Sequence, residues 1–350
     1  MIIVLTLLAG FLRLYRLGPG LQFLGDQGRD VLVMYRLLVQ GDLPFIGPIT
    51  SVGGFYLGPL YYYLMAPFLW LARFNPVGPA AATAVLGIIT VPLLYLVAKA
   101  FYSRRVGLWA AGLYALAYIP ISETRSAWNP NPMPLAALGI IYGFYTKNLL
   151  LAAMSLGVAM QFHYMIVFLG PWILWQLYLN RRQWKNILLF AAVGLMLMTP
   201  LILFEIKNNW LNTSGLIEFL GKHQYGHLDF SVVIKNTIGR SEQAIGMVLG
   251  FGRDYNLLRT WVTRGFLLLV IIFFKRVKFL AVYLLTSILA LAVYQDNIYP
   301  HYLGFLFPIV FILAAATLSR LPKLILPAFA ILFLVYNLPP IYTLLVKMAI

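Results

Sequence analysis

Long apolar runs recur along the whole 350-residue chain, and they constrain its fold more than any other feature. Hydrophobic residues make up 62% of the chain and charged residues only 10%, which is too little polar surface to cover a soluble domain of this size. The pattern therefore predicts an all-α, polytopic membrane protein, with one integral membrane domain over residues 1–350.

The number of apolar runs predicts about eleven transmembrane helices. A spanning helix needs about 20 apolar residues, or fewer when its ends reach the headgroup region. The runs that come close to this requirement are 1–14, 78–98, 106–122, 133–147, 149–162, 164–180, 187–205, 262–274, 279–294, 302–318 and 323–340.

The basic residues between the runs predict the orientation of the chain. Twelve Lys and Arg, with no acidic residue among them, lie in the links 99–105, 147, 181–185, 275–278 and 319–323. Because positively charged links stay in the cytoplasm, the ten acidic residues are expected on the outer face. That face then carries a first outer loop at 15–77 with interfacial helices, and a second long segment at 206–261. No soluble domain is expected after the last run.

Residues 55–74 are apolar enough to cross the membrane as well. A crossing there would move every later basic link to the outer face, whereas positively charged links are expected in the cytoplasm. We therefore expect this stretch to lie in the interface or to re-enter the membrane, where its tyrosines suit the headgroup region.

Several kinds of chemistry lack their sequence signals. The chain has no cysteine, which excludes disulfides, thiolate metal sites and cysteine nucleophiles. Its net charge of +16 is spread between apolar runs and forms no tail, so it does not indicate a nucleic-acid partner. Neither a Gly-rich phosphate loop followed by Lys nor a His–Glu metal spacing is present.

The stretch LQFLGDQGRD (21–30) places charged residues just after the first apolar run. On a helix, Asp26, Arg29 and Asp30 share one face. A carboxylate at the membrane boundary can take a proton from a hydroxyl nucleophile, and an arginine beside it can hold a phosphate. The alternative is a solvated loop whose charges keep it out of the membrane.

Three further polar clusters are expected on the same face. Each cluster alone has a simpler explanation: residues 122–132 as a turn between helices, His163 as a packed histidine, and residues 294–308 as an aromatic belt. Ionisable groups at membrane ends that face a bundle cavity are functional-site candidates, so their convergence indicates a site. The candidate residues are Glu123, Arg125, Asn129 and Asn131 in SETRSAWNPNP (122–132), His163 in QFHYM (161–165), and Asp296, His301 and Tyr302 in YQDNIYPHYLGFLFP (294–308).

The order of these motifs resembles that of the GT-C superfamily of membrane glycosyltransferases. The similar branch contains the protein O-mannosyltransferases and the bacterial aminoarabinose transferase of lipid A modification. The matching stretches are FLRLYRL followed by GDQGRD, then GPLYYYLMAP (58–67), SETRSAWNPNP and YPHYLGFLFP. The resemblance covers about the first 165 residues, and more loosely residues 280–310.

The resemblance implies an inverting transfer of one hexose or pentose from a polyprenyl-phosphate donor to an acceptor hydroxyl on a protein, lipid or glycan. The enzyme would sit in the cell membrane with its active site facing the outside or periplasm, as part of envelope glycosylation. Asp26 matches the family's essential acid and Arg29 a phosphate-contacting arginine. His301 or Tyr302 would supply a second phosphate contact. The further candidates for the substrate pocket are Asp30, Tyr56, Tyr61, Glu123, Asn129, Asn131 and Asp296.

The chain departs from the family pattern at several positions. Gln27 follows Asp26 where many members have Glu, and Leu57-Gly58 stand where the transferase branch has a lysine. Arg125 or His163 is the candidate replacement for that phosphate ligand. The polar loop has Trp128-Asn129 and lacks the usual late Asp. We expect no cofactor and no metal to be required, because protein cations can neutralise a leaving monophosphate, although Asp26, Asp30 and Glu123 could bind a divalent ion.

Two other functions remain open at the level of sequence. The first is a transporter or flippase of a lipid-linked saccharide, with Arg29, Arg125 and His163 as a phosphate path. Transporters commonly show repeated halves and polar residues at mid-span, and neither is clear here. The second is a structural membrane subunit, which would leave the charged clusters on one face unexplained.

Overall fold

The computed structural model is all-helical, as the sequence predicts. It describes residues 1–50, 53–222, 230–252, 256–294 and 296–347. The α-helices of this described part are α1 (Ile2–Leu14), α2 (Gly25–Gln40), α3 (Leu60–Leu71), α4 (Val77–Phe101), α5 (Arg104–Leu116), α6 (Tyr118–Thr124), α7 (Met133–Tyr145), α8 (Leu149–Phe162), α9 (Gly170–Leu179), α10 (Trp184–Lys207), α11 (Leu211–Lys222), α12 (Phe230–Val248), α13 (Leu257–Ile272), α14 (Phe274–Ala292), α15 (Phe307–Leu318) and α16 (Ile325–Tyr342).

The centre of the bundle is α15. Every residue of this helix is buried, as expected for a helix that is apolar all round. Around it, α4 packs on α1, α5 and α7, while α8 packs between α7 and α10. Short 3-10 helices precede α9 (Tyr164–Leu169) and α15 (Pro300–Leu303), and they bring two polar clusters to one end of the bundle.

The number of membrane crossings stays a prediction. Among the described residues, three helices are long and apolar enough to span: α4, α10, and α16 with the turn that follows it (Ile325–Val346). The pair formed by α5 and α6 would be a fourth. The shorter apolar helices are Ile2–Leu14, Leu60–Leu71, Met133–Tyr145, Leu149–Phe162, Tyr164–Leu179 and Phe307–Leu318. The all-helical class is confirmed, and the count of about eleven is not.

The run 106–122 is not one straight helix, and here the prediction is corrected. It is divided into α5 and α6, which meet at an angle of 60°. Pro120 explains the break, since its ring would collide with the carbonyl of Leu116 in a continuous helix. The backbone turns at Ala117, whose ψ is 129°. The freed N–H of Tyr118 donates to Oδ1 of Asn337 at 2.8 Å, so the break leaves no orphan donor there.

Among the described residues, four helices lie entirely within the two segments predicted to face outward. Residues 15–77 contain α2 and α3, and residues 206–261 contain α11 and α12. Helix α3 packs on both α2 and α4, which fixes the charged start of α2 against the bundle. Whether 55–74, which includes α3, stays in the interface remains a prediction.

Close packing of α7 on α8 depends on a glycine. A Cβ at Gly143 would lie 2.6 Å from the backbone N of Ala152 and 2.9 Å from its Cα. Small residues at such crossings let two helix backbones approach. Because the atoms in the way belong to the backbone, the helices must separate if the side chain grows.

Gly143→Ala is therefore expected to destabilise the protein by about 1–3 kcal/mol, the usual cost of overpacking. The measurement is the thermal unfolding midpoint of the purified protein in detergent. Gly194→Ala on α10 is the matched control, because nothing lies within 4 Å of its Cβ position. Equal midpoints for the two variants would contradict the packing account.

Candidate active site

A cavity of about 900 Å³ brings together polar clusters that are far apart in the sequence. Its polar wall comes from the start of α2, the link between α6 and α7, the end of α8 and the link before α15. The predicted site residues that line it are Asp26, Arg29, Asn129, His163, His301 and Tyr302.

Local capping hydrogen bonds fix the first turn of α2, the helix that contributes Asp26 and Arg29 to the cavity. The side chain of Gln27 accepts a hydrogen bond from the backbone N of Leu24 at 2.9 Å. The Gly28 N–H donates to the carbonyl of Leu24 at 3.0 Å. Asp26 lies in this first turn, where the helix dipole favours a negative charge. The sequence therefore places its two acids and its arginine on one face, as predicted.

Arg29 is the cation of the site and is held by both acids. Its Nη1 lies 3.0 Å from Oδ1 of Asp26, and its Nη2 lies 2.9 Å from Oδ1 of Asp30. Burial lowers the pKa of Arg29, but the pairing with Asp30 and Asp26 raises it further than burial lowers it. The guanidinium therefore stays charged beside a carboxylate that faces the cavity.

Asp30 lies behind Arg29 and does not line the cavity. It is 1% exposed, and its Oδ1 also accepts a hydrogen bond from the Tyr62 hydroxyl at 3.1 Å. Its Oδ2 is buried and has no hydrogen-bond partner in the described part of the chain. Burial raises the pKa of Asp30 to about 6, despite the nearby Arg29. Asp30 thus orients Arg29, but burying its charged carboxylate lowers the stability of the folded protein.

That cost predicts how stability changes with pH. The Asp30 carboxyl titrates near pH 4 in the unfolded chain and near pH 6 in the folded protein, so folding is favoured when the group is protonated. Its contribution is fully present below about pH 4 and is lost as the pH rises through about 6. Two pKa units correspond to about 3 kcal/mol.

Thermal unfolding from pH 4 to pH 7 measures this contribution. Asp30→Asn is expected to flatten the fall in the unfolding midpoint over that range. Asp42→Asn removes an exposed carboxylate of the same loop and should keep the wild-type slope. An unchanged slope in Asp30→Asn would show that the buried carboxyl does not titrate there.

Histidines and aromatic rings form a second part of the cavity lining. The ring of His301 lies 4.1 Å from that of Trp128 and 4.6 Å from that of Tyr302. The ring of His163 lies 4.9 Å from Tyr302, and its Nδ1 accepts the backbone N–H of Met165 at 3.2 Å. Asn129 ties this wall to α8, because its Nδ2 donates to the carbonyl of Phe162 at 2.6 Å.

The rest of the cavity is mainly apolar. Its lining includes Leu156, Met160, Ile166, Ile173, Leu201 and Leu216. A carboxylate, an arginine and two histidines in the lining of a mainly apolar cavity suit an amphiphile with an anionic head.

Arg125 lies outside the cavity and serves α1 instead. It is 3% exposed, and its guanidinium donates to four backbone carbonyls at the end of α1. Those acceptors are Leu12 at 3.1 Å, Arg13 at 3.1 Å, Tyr15 at 2.9 Å and Arg16 at 3.2 Å. Arg125 is not among the residues that line the cavity, and its role in binding phosphate stays a prediction.

Five other candidates also lie outside the cavity lining. Tyr61 is fully buried in the bundle, and Asn131 donates to the carbonyls of Glu123 and Ser126. The carbonyl of Tyr56 accepts hydrogen bonds from Asn212 and Tyr164. That of Asp296 accepts one from Arg240 at 2.9 Å. Glu123 lines a second, smaller cavity. Their roles in the substrate pocket stay predictions.

The sequence analysis missed Glu205, which lines the cavity near the start of α11. Its Oε1 accepts the N–H of Asn212 at 2.8 Å, and its Oε2 accepts the N–H of Thr213 at 2.8 Å and its hydroxyl at 2.6 Å. Glu205 thus satisfies two donors at the start of that helix. An acid at the end of an apolar run was the signal that could have found it.

Metal binding remains a separate expectation. In the described ranges, no group of three or more His, Asp or Glu side chains is placed to hold an ion. Of the three acids that could bind a divalent ion, Asp26 and Asp30 are joined through Arg29, and Glu123 faces a different cavity. That the reaction needs no metal stays a prediction.

Comparison of structures finds similar proteins, whereas comparison of sequences finds none. No protein-family model matches the sequence, and no curated protein matches it significantly. ArnT from Cupriavidus metallidurans bound to undecaprenyl phosphate matches 94% of this chain with a TM-score of 0.67 and 13% identity. The oligosaccharyltransferase of Archaeoglobus fulgidus, complexed with zinc and sulfate, matches 99% of it with a TM-score of 0.60 and 14% identity. The chain spans 61% of the length of ArnT and 52% of the oligosaccharyltransferase.

The chain therefore has the fold of ArnT and of the archaeal oligosaccharyltransferase, which are both members of the GT-C superfamily. The resemblance seen in the sequence motifs is therefore confirmed at the level of the fold. The protein O-mannosyltransferase branch stays a prediction.

Proposed function

We propose that this protein is a glycosyltransferase that moves one sugar from a polyprenyl-phosphate donor to an acceptor hydroxyl. The observation that carries the proposal is the Asp26–Arg29 pair in the lining of a large, mainly apolar cavity. The pair joins a base to a phosphate-binding cation within one helical turn. Such an arrangement serves transfer to a hydroxyl from a phosphate leaving group.

The cavity fits the two parts of such a donor. Arg29 would hold the phosphate, and His163, His301 and Tyr302 line the same cavity. The apolar part would take the first prenyl units of the lipid. Two structural neighbours support this choice of donor, because ArnT was solved with undecaprenyl phosphate and the archaeal oligosaccharyltransferase AglB with dolichol-phosphate and an inhibitory peptide.

The reaction follows from these positions. Asp26 takes the proton of the acceptor hydroxyl, whose oxygen attacks the anomeric carbon from the face opposite the phosphate. A new glycosidic bond forms while the bond from the anomeric carbon to the phosphate oxygen breaks, which inverts the configuration. The phosphate stays on the lipid, and Arg29 stabilises its developing charge.

Because the basic links are expected in the cytoplasm, we propose that this site faces outward from the cell membrane. On that basis, residues 15–77 and 206–261 form the outer segments around it, within one integral membrane domain over 1–350. The test below uses a panel of donors to identify the sugar that the enzyme transfers.

The test is transfer from radiolabelled polyprenyl-phosphate sugars by the purified protein in lipid nanodiscs. We expect one donor of a panel of hexoses and pentoses to lose its label to an acceptor, with release of polyprenyl phosphate. The same preparation in sealed vesicles reports movement of the donor between leaflets. Movement without transfer would favour the flippase alternative and reject the enzyme.

A further inference from the structure

His163 is held by the backbone of the short helix that it begins. It is the N-cap of the 3-10 helix Tyr164–Leu169, and its Nδ1 accepts the backbone N–H of Met165 at 3.2 Å. A ring nitrogen that accepts a hydrogen bond carries no proton, so this contact places the imidazole proton on Nε2. Folding therefore fixes His163 as an uncharged ring with one N–H donor.

The surroundings of the ring also keep it uncharged. Burial lowers the pKa of His163 to about 4, and the ring pairs with no acid in the described part of the chain. The rings packed nearest to it are those of Tyr302, at 4.9 Å between centroids, and His301, at 6.3 Å. Neither side chain supplies a negative charge that would stabilise an imidazolium.

The Nε2–H of His163 has no hydrogen-bond partner in the described ranges, and an unused acceptor is tied to the same stretch of backbone. Asn129 donates from Nδ2 to the carbonyl of Phe162, the residue before His163, at 2.6 Å. Because a carbonyl can only accept, this bond fixes the carboxamide and leaves its Oδ1 free within those ranges. Neither Nε2 nor Oδ1 is a buried unsatisfied atom, so both stay accessible, and both residues line the large cavity.

A free donor and a free acceptor in one lining suit a hydroxyl group better than a phosphate. A hydroxyl can accept from the Nε2–H of His163 and donate to the Oδ1 of Asn129. A phosphate oxygen would meet that Oδ1 as a second acceptor, which is unfavourable. The acids of the same lining are already engaged, Asp26 with Arg29 and Glu205 with the start of α11.

We propose that His163 binds the sugar of the donor, with its uncharged ring donating from Nε2 to one sugar hydroxyl and Asn129 accepting from a hydroxyl through Oδ1. The inference rests on the proposed function, because the sugar is part of the lipid-linked donor. His163 is then a sugar-binding residue, in place of the phosphate contact expected for it from the sequence, and Arg29 remains the cation for the phosphate. A sugar that lacks this hydroxyl is rejected, because the donor would be left unpaired.

Histidine NMR tests the charge and the tautomer of His163 without any substrate. The chain has four histidines, so ¹⁵N-histidine labelling of the full protein in nanodiscs gives a short spectrum. We expect the His163 signal, identified by its loss in His163→Asn, to stay neutral and protonated at Nε2 from pH 7.5 to pH 5.5. A His163 ring that is charged at pH 6.5, or that carries its proton on Nδ1, would overturn the inference.

Binding of two kinds of lipid that differ by the sugar separates sugar contacts from phosphate contacts. The probes are polyprenyl phosphate and its hexosyl and pentosyl esters, titrated into the purified protein. His163→Asn keeps an oxygen that can cap the 3-10 helix, but its side chain is too short to reach the position of Nε2. We expect this variant to bind the tightest sugar ester about tenfold more weakly and polyprenyl phosphate with unchanged affinity.

Equal weakening of both kinds of lipid would assign His163 to the phosphate and overturn the inference, as would unchanged binding of both. Wild-type protein that binds none of the sugar esters would overturn it too. Binding of a sugar ester that depends on His163, in a protein that transfers no sugar, would uphold the inference and reject the proposed reaction. His163→Phe keeps a ring against Tyr302 and lacks both nitrogens, so it replaces His163→Asn in both experiments if that variant does not fold.

Discussion

Asp26→Asn is expected to reduce the rate of sugar transfer about 1,000-fold while the protein stays folded. Asparagine keeps the shape of the side chain but cannot take a proton, and general bases contribute about 100- to 10,000-fold. Stability should change little, because the Asp26–Arg29 pair is partly exposed and Arg29 keeps its contact with Asp30. Initial rates with the labelled donor, at saturating acceptor, measure the effect.

The matched control is Asp42→Asn, which removes the same charge from an exposed position of the same loop. It should transfer at the wild-type rate. A folded Asp26→Asn protein as active as this control would remove Asp26 from the chemistry. Loss of activity in both variants would point to the net charge of the loop instead.

Arg125→Met is expected to give the largest loss of stability, about 3–5 kcal/mol. The substitution removes the donor for four carbonyls at the end of α1, and each unsatisfied buried group costs about 1–3 kcal/mol. Because the four acceptors are neighbours, the costs will not add fully. The measurement is the thermal unfolding midpoint in detergent.

Arg36→Met is the control, since Arg36 is exposed on α2 and its loss should leave the midpoint within a degree or two. Arg125→Lys keeps the charge but loses the planar fork, so it should fall between the two. Wild-type stability in Arg125→Met, with weakened donor binding, would return Arg125 to the list of phosphate ligands.

The sequence predicted the helical architecture because apolar runs of this length can satisfy their backbone groups only as helices in a membrane. It also predicted the face shared by Asp26, Arg29 and Asp30, because helical spacing is local. The break at Ala117 could have been predicted from Pro120. It was missed because the residues on both sides form one continuous apolar run. Orientation and the count of crossings depend on the bilayer and stay predictions.

The sequence could not separate cavity residues from structural ones. Arg125 and His163 were both candidates for binding a phosphate in the sequence, but in the folded chain the guanidinium of Arg125 donates to carbonyls at the end of α1. Glu205 reaches the cavity because α11 folds back on the end of α10, which local spacing cannot predict. A long-range contact decides the role of Arg125, and the turn between two helices decides that of Glu205; the residue type alone decides neither.

The most direct test of the central claim is a cryo-EM structure in nanodiscs with a polyprenyl monophosphate added. The account predicts the phosphate within hydrogen-bonding reach of the Arg29 guanidinium, on the side that faces His301. The first prenyl units should lie along the apolar lining that includes Met160 and Ile173. A phosphate bound elsewhere on the bundle, with this cavity occupied by bulk lipid or solvent, would contradict the assignment of the site.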